Sequence, residues 1–357
     1  YLFILEKLYN WYVINILLKI LEKFTLDYIP SLPISLRTQL YKNILPIRKL
    51  KDKVLLNKPK SQQTYQDRVD FARTARIGYD YTGSRLNKYN ENVQLEKVRT
   101  SEMDIYKFTP KNAVEDTFGI YFHGGGYYNG SITAYKNIIS QFCFELEIPF
   151  YYFEYSLTPE FIFPAAHEDA KKAVEIISKR EMDKQTIWMG DSAGGGLATG
   201  ILVDETFDVS PDKLILMSPW LDLSDENKDR KYLKNKDILL AIDGVKNVGE
   251  YYAGEYGVTN PILSPVFAEI ETFPNTLIQV CSDELLYNDA IEFCKKLEKN
   301  DIPYELQTWK NLWHGWQFFP IQEANEARKK IVSFVKDNSY SSPKWWNANP
   351  YGSSNLL

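Results

Sequence analysis

The chain has 357 residues, which is long for one compact core and short for two full enzyme domains. We therefore expect one principal domain with an appended cap. Its composition, with 44% hydrophobic and 25% charged residues, is ordinary for a globular protein. The net charge is −5 and no basic stripe runs along the chain, which argues against nucleic acid as a partner. Nothing in the sequence specifies an oligomeric state.

Residues 1–24 are rich in Leu, Ile, Tyr and Phe, but a membrane span needs about 20 mostly apolar residues. The longest uncharged stretch, 8–18, is too short for that. Apolar residues recur at helical spacing, which predicts an amphipathic helix. We expect this helix to pack on the rest of the protein, with weak contact to a membrane surface as the alternative.

The next part of the chain changes from helical to strand patterns. Residues 1–85 are mostly helical in pattern, and prolines interrupt them. Residues 93–99 and 103–108 alternate like the two strands of a hairpin, and 118–122 form a short apolar strand. Helices are then predicted over 134–146, 165–178 and 192–203, and strands over 149–155, 186–189 and 213–217. This alternation predicts an α/β fold with a mostly parallel central sheet and covering helices.

The alternation breaks at about residue 223. Residues 223–263 are charged and helical in pattern, over 225–236 and 238–252, and look like an insertion in the sheet topology. The alternation resumes with strands over 276–280 and 304–308 and helices over 288–299 and 321–337. Residues 86–340 therefore make up the principal domain. The tail, 341–357, is rich in Ser, Asn, Pro and Trp, and we expect it to be loosely ordered.

Three cysteines are present, Cys143, Cys281 and Cys294. An odd number without paired spacing argues against a disulfide framework, and no Cys-x-x-Cys or His-rich tract indicates a metal. The sequence predicts neither a metal nor a cofactor. Free cysteines fit a reducing compartment, so the cytoplasm is the expected location. The first residue is not Met, which leaves open a removed leader and hence a membrane-associated or secreted protein.

A Gly-x-Ser-x-Gly pattern, residues 190–194, lies between a predicted strand and a predicted helix. A serine at such a sharp turn is lifted out of the sheet edge at a helix N-terminus, where backbone N–H groups favour developing negative charge. Ser192 is therefore the predicted nucleophile. The alternative is a glycine-rich turn with a capping serine.

A His-Gly-Gly-Gly run, residues 123–126, follows a strand 69 residues before Ser192. Glycines leave backbone N–H groups free to point at a substrate oxygen. We predict an oxyanion hole from the N–H groups of Gly124, Gly125 and Ala193, with His123 and Gly126 supporting the loop. A flexible glycine loop without this role is the alternative.

A serine hydroxyl needs an adjacent base, and the chain has only three histidines. His123 belongs to the glycine run, and His167 is predicted to be a solvated or packing residue on a helix. His314, in a loop after the last predicted core strand, is the predicted base. The base needs a carboxylate to orient it, and that acid should follow a late strand. Asp283 is the predicted acid, with Glu284 and Asp289 as alternatives.

Between about residues 104 and 337, the chain resembles the hormone-sensitive-lipase-like branch of the α/β-hydrolases. The resemblance implies the triad Ser192, Asp283 and His314, and a helical cap near 1–85 and 223–263. The motifs that carry it are His-Gly-Gly-Gly at 123–126, Gly-Asp-Ser-Ala-Gly-Gly at 190–195, Tyr-Ser-Leu-Thr-Pro-Glu at 155–160, Phe-Pro-Ala-Ala at 163–166, Ser-Pro-Trp-Leu-Asp at 218–222, Leu-Ser-Pro at 263–265 and His-Gly at 314–315.

The resemblance implies hydrolysis of small-molecule carboxylic esters with short or medium acyl chains, acetyl among them, without a cofactor. Tyr127, Tyr128 and Trp220 are the predicted substrate-pocket residues. Ser156 stands where many family members carry Arg. Two other functions remain open at this point: a catalytically silent receptor for a small ligand on the same fold, and an amidase or peptidase.

Overall fold

The computed structural model describes residues 23, 29, 32–55, 63–224, 230–337 and 344–347, and for 47–55 and 344–347 only the backbone. The amphipathic helix predicted over 1–24 lies outside the described residues, apart from Lys23. In the described part of the chain, no helix is long and apolar enough to cross a membrane.

A nine-stranded sheet forms the centre of the described structure. The strands are β1 (Val93–Val98), β2 (Ile105–Pro110), β3 (Thr117–Phe122), β4 (Phe150–Phe153), β5 (Gln185–Asp191), β6 (Lys213–Met217), β7 (Asn275–Cys281), β8 (Tyr304–Trp309) and β9 (Lys344–Asn347). Their order across the sheet is β1-β2-β4-β3-β5-β6-β7-β8-β9.

The sheet is parallel from β4 to β9, and the predicted hairpin of β1 and β2 adds two antiparallel strands at one edge. Strands β3 and β4 are buried over their whole length, which explains why they are continuous apolar runs in the sequence. The predicted mostly parallel sheet is confirmed.

Helices cover both faces of the sheet. Alternate residues of a strand point to opposite faces of the sheet and pack in two separate hydrophobic cores. Ile120 packs on one face and Tyr121 on the other. The helices are α1 (Ile34–Leu55), α2 (Tyr65–Leu86), α3 (Ile132–Leu146), α4 (Ala165–Arg180), α5 (Ala193–Leu202), α6 (Arg230–Leu233), α7 (Ile242–Ala253), α8 (Tyr287–Lys299) and α9 (Gln322–Lys336). The first core holds residues of α4, α5 and α8, and the second holds residues of α3 and α9.

Both N-terminal helices pack directly on the principal domain. Tyr41 of α1 lies against Trp313, beside His314, with ring centroids 5.9 Å apart, and Arg37 donates to the carbonyl oxygen of Pro320 at 2.9 Å. A capping box of Thr64 and Asp67 starts α2. Helix α2 then approaches α3 so closely that a Cβ on Gly83 would lie 2.6 Å from the carbonyl oxygen of Ala134.

The insertion contains less helix than the sequence pattern predicts. In the described part of 225–236 only Arg230–Leu233 is helical, and the helix expected from 238 begins at Ile242. The later start is explained by Asp237, whose carboxylate accepts hydrogen bonds from the N–H groups of Leu239 and Leu240 at 2.8 and 2.7 Å. Such a local turn competes with helix formation.

The predicted tail contains one ordered element. Residues Lys344–Asn347 pair in parallel with β8 as the edge strand β9, whereas loose order was expected there. The sequence Lys-Trp-Trp-Asn carries two tryptophans, a residue type that favours strands. The other residues of 341–357 lie outside the described part of the chain.

Candidate active site

Three polar side chains meet at one edge of the sheet. Ser192 follows β5, Glu284 comes three residues after β7, and His314 comes five residues after β8. The carboxyl ends of parallel strands lie at the same edge, which brings loops far apart in sequence together. This edge is therefore where the predicted chemistry can be assembled.

Ser192 lies on the sharp turn between β5 and α5, with a φ of 51° and a ψ of −123°. This conformation is strained for a serine and is typical of functional turns. The turn also explains its glycines, because a Cβ on Gly190 would lie 2.7 Å from the Gly194 carbonyl oxygen, and one on Gly194 would collide with the Phe122 carbonyl oxygen.

A hydrogen-bonded line joins the nucleophile position to a buried carboxylate. His314 Nε2 lies 2.9 Å from Ser192 Oγ, and His314 Nδ1 lies 2.9 Å from Glu284 Oε2. The second Glu284 oxygen, Oε1, accepts from the N–H of Cys281 at 3.0 Å. The arrangement can hold the imidazole in the tautomer that leaves Nε2 free to accept the serine proton.

The prediction that Asp283 is the partner of His314 is wrong. The Asp283 carboxylate points away and accepts from the N–H of Asn311 at 2.8 Å. The chain turns after β7, with the Glu284 N–H donating to the Cys281 carbonyl oxygen at 3.2 Å, and this turn directs the next side chain inward. Glu284, an alternative left open by the sequence, occupies the place.

The glycine loop (residues 123–130) also differs from the prediction, at Gly124. The N–H of Gly124, expected to face the substrate, donates instead to Asp191 Oδ1 at 3.0 Å. Among the described residues, the N–H groups of Gly125 and Gly126 donate to no protein acceptor. Ala193 is the first residue of α5, so its N–H has no acceptor within that helix.

A family model described as the alpha/beta hydrolase fold matches residues 119–318, a stretch that contains Ser192, Glu284 and His314. The chain belongs to this family. The match and the sheet topology confirm the predicted fold class.

Relatives and solved structures agree with this α/β-hydrolase assignment. An esterase from Acinetobacter venetianus is 27% identical over 260 residues, which cover 70% of this chain and 84% of the relative. An acetyl-hydrolase from Streptomyces hygroscopicus is 29% identical over 222 residues, covering 61% of this chain and 74% of the relative. A crystal structure of a hormone-sensitive lipase from a metagenome library is 25% identical with a TM-score of 0.72, covering 84% of this chain and 97% of that one. The resemblance to the hormone-sensitive-lipase-like branch is confirmed.

Burial and nearby negative charge shift the pKa of His314 in opposite directions. Burial lowers the pKa of His314, but the hydrogen bond and negative charge of Glu284 outweigh it, so that the pKa lies above the ordinary value of 6.5. Asp237 and Asp191 act in the same direction from farther away. Burial raises the pKa of Glu284, and His314 opposes that rise.

The raised pKa of His314 predicts how kcat/KM should depend on pH on the acidic side. Since His314 accepts a proton only when neutral, kcat/KM should fall as the pH drops through an apparent pKa above 6.5. In Glu284→Gln the negative charge is lost, and burial then lowers the pKa of His314. The fall of kcat/KM should therefore occur at lower pH. The pH dependence of p-nitrophenyl acetate hydrolysis measures this fall in the wild type and in the variant. An unchanged pH dependence in Glu284→Gln, or a shifted one in the control Asp283→Asn, would contradict the assignment.

Asp191, which precedes the serine, is a residue of the candidate site that the sequence interpretation did not single out. It is buried, and it accepts from the Tyr121 hydroxyl at 3.0 Å and from the Tyr135 hydroxyl at 3.0 Å, besides the N–H of Gly124. Burial raises its pKa to about 6, and these three donors oppose the rise. The available signal was an acidic residue inside an otherwise apolar strand end.

The two other histidines, His123 and His167, are buried and make packing and hydrogen-bond contacts. The ring of His123 stacks on Tyr155 with centroids 4.0 Å apart, and its Nδ1 lies 2.8 Å from the Gly124 carbonyl oxygen, as expected for a brace of the glycine loop. Burial lowers its pKa to about 4. His167 is buried beside the hydroxyl of Tyr252, with Nδ1 at 3.0 Å, so it packs and is not solvated.

The third carboxylate considered as the acid, Asp289, holds the insertion. It is fully buried and lies 2.7 Å from Arg230, and it also accepts from the N–H groups of Leu221 and Asp222. The guanidinium favours the charged carboxylate, although burial raises its pKa. Asp289 therefore fixes α6 and the loop after β6 to α8, away from His314.

Breaking the Arg230–Asp289 pair should lower the stability of the fold and leave the hydrogen bonds between Ser192, His314 and Glu284 in place. Asp289→Asn removes the buried negative charge that lies 2.7 Å from the Arg230 guanidinium, and we expect the free energy of unfolding to fall by about 3 kcal/mol. Urea denaturation measures the change. Glu292→Gln, which breaks an exposed pair with Lys295 on the same helix, is the control and should have little effect. Equal stability of Asp289→Asn and wild type would contradict a structural role for the pair.

The predicted pocket residues separate into two groups. Tyr127 is fully buried, and its ring stacks on Tyr252 with centroids 3.9 Å apart and lies 6.0 Å from that of Trp220. A Cβ on Gly196, one turn after the nucleophile, would lie 3.0 Å from the Tyr127 hydroxyl. The ring of Tyr128 faces Phe71 of α2 with centroids 6.0 Å apart, and a Cβ on Gly126 would lie 2.9 Å from its Cε1. Tyr128 therefore lies beside the glycine loop, whereas Tyr127 packs in the core against the helix that follows Ser192.

Proposed function

We propose that the protein is a serine carboxylesterase that cleaves small-molecule esters with short or medium acyl chains. The observation that carries the proposal is the continuous hydrogen-bonded line from Ser192 through His314 to Glu284. Relatives named esterase and acetyl-hydrolase support the same reaction class. The acid of the triad is thus Glu284 in place of the predicted Asp283.

The first half of the reaction acylates the enzyme. His314 Nε2 takes the Ser192 hydroxyl proton as the oxygen attacks the ester carbonyl carbon. Glu284 stabilises the imidazolium that forms, through the bond at Nδ1. The carbonyl oxygen becomes an oxyanion facing the N–H groups of Gly125, Gly126 and Ala193. When the C–O bond breaks, His314 returns the proton to the leaving alcohol.

The second half of the reaction releases the acid. Water takes the place of the alcohol, gives a proton to His314 Nε2 and attacks the acyl carbon through a second oxyanion in the same site. Collapse breaks the bond to Ser192, which recovers its proton from His314. Every proton taken by the imidazole is returned, so the enzyme needs no further reactant.

Within this function, acetyl and other short acyl chains are the expected substrates. The name of the acetyl-hydrolase relative supports this choice.

A series of p-nitrophenyl esters from acetyl to decanoyl, together with the matched p-nitroanilide, tests the proposal. We expect kcat/KM to be highest at the short end and the anilide to be cut far more slowly. A fluorophosphonate probe should label the wild-type protein once, at Ser192. Absence of label together with tight binding of a small ligand would favour the silent receptor, and faster anilide cleavage would favour an amidase.

A further inference from the structure

The glycine loop has a backbone that its own sequence does not stabilise. Gly125, Gly126 and Tyr127 follow one another with φ values of 110°, 63° and 61°, and Tyr127 is not a glycine. Positive φ at such a residue costs energy and persists only where the surroundings hold it. The loop that carries two of the proposed oxyanion donors therefore depends on contacts from outside.

Arg76 of α2 makes one set of these contacts. Its Nε donates to the Tyr128 carbonyl oxygen at 2.9 Å and its Nη2 to the Thr158 carbonyl oxygen at 2.6 Å. The same guanidinium pairs with both oxygens of Glu160, at 2.8 and 2.6 Å. A planar guanidinium bound through this many donors has one defined orientation. Thr158 in turn donates its N–H to the Tyr127 carbonyl oxygen at 2.8 Å.

Tyr79, one turn later on the same helix, is linked through Tyr135 and Asp191 to Gly124 at the other end of the loop. Its hydroxyl lies 2.7 Å from that of Tyr135, which donates to Asp191 Oδ2 at 3.0 Å. Asp191 Oδ1 holds the N–H of Gly124. Residues three apart on a helix lie on one face, so a single face of α2 is linked to both ends of the segment that contains Gly125 and Gly126.

We infer that α2 is a positioning element for the oxyanion hole, with Arg76 as its principal positioning residue. The inference rests on the proposed esterase function. Arg76 touches no reacting atom; it acts by fixing the Tyr128 carbonyl and, through Thr158, the Tyr127 carbonyl. The N–H groups of Gly125 and Gly126 are thereby held where the oxyanion forms. Small displacements of such donors weaken transition-state binding more than substrate binding.

The experiment compares Arg76→Ala with Arg85→Ala, an exposed arginine on the same helix that bonds only to its own helix among the described residues. Turnover is expressed per active site titrated with the fluorophosphonate probe, which removes the effect of unfolded protein. We expect Arg76→Ala to lower kcat about 10- to 100-fold with KM within about threefold, because lost oxyanion contacts act in the transition state. The Arg85→Ala control should match the wild type.

Two further measurements separate positioning from folding. The affinity of a trifluoromethyl ketone, which forms an oxyanion on the serine, should fall in parallel with kcat. Tyr79→Phe, which keeps the ring, should lower kcat less than Arg76→Ala and in the same pattern. The inference is overturned if Arg76→Ala keeps wild-type kcat per titrated site, or if its losses lie in KM alone. An inactive, unlabelled wild type would instead refute the esterase function itself.

Discussion

Replacing Ser192 with alanine is expected to lower kcat for a p-nitrophenyl ester by about 10⁴- to 10⁶-fold. In the proposed mechanism the Ser192 hydroxyl oxygen bonds to the acyl carbon, and no other described side chain occupies its place 2.9 Å from His314 Nε2. The residual rate should come from substrate binding and from the oxyanion donors, which the variant retains.

The control for this variant is Ser178→Ala, which removes a half-buried serine of α4 outside the site. Its turnover should equal that of the wild type. The fluorophosphonate probe should label the control and fail to label Ser192→Ala. Turnover by Ser192→Ala within tenfold of the wild type would refute the nucleophile assignment, whatever the cause of the remaining activity.

The second large effect distinguishes two adjacent carboxylates. Glu284→Gln should lower kcat by about 10³- to 10⁴-fold, because a neutral amide no longer stabilises the imidazolium and can hold the imidazole in the wrong tautomer. Asp283→Asn should change kcat by less than about threefold, because that carboxylate bonds only to the Asn311 N–H in the described structure.

Each of these variants serves as the other's control, since both remove one negative charge at the end of β7 and both keep the side-chain size. Steady-state kinetics on one ester, with folding checked by thermal denaturation, measures the difference. A larger loss for Asp283→Asn than for Glu284→Gln would contradict the structure and restore the original prediction.

Most elements of the sheet could be predicted from the sequence because they are long apolar runs alternating with amphipathic helices. Strand β6 is found at the predicted bounds, and the bounds of β3 and β7 differ by one residue. The insertion could not be predicted as well, because the hydrogen bonds of Asp237 replace a helical turn there. The strand β9 depends on pairing with β8, which no local pattern contains.

The proximity of Ser192 and His314 could be predicted because the motif and the shortage of histidines left few choices. The choice between Asp283 and Glu284 could not, since it depends on which side chain the turn after β7 directs inward. That the Gly124 N–H does not face the substrate side could not be predicted either, for a similar reason. Asp191 captures the N–H of Gly124, and only the folded arrangement reveals that a residue beside the nucleophile has this partner.

The packing of α1 against Trp313 bears on how hybrids between relatives should be built. The first two described helices contact the loop that contains His314 and the glycine loop, through Tyr41 and Arg76 respectively. An N-terminal segment transplanted from a relative would therefore bring its own contacts to both loops. Such chimeras should differ in turnover as well as in substrate choice, so this segment is not an interchangeable module.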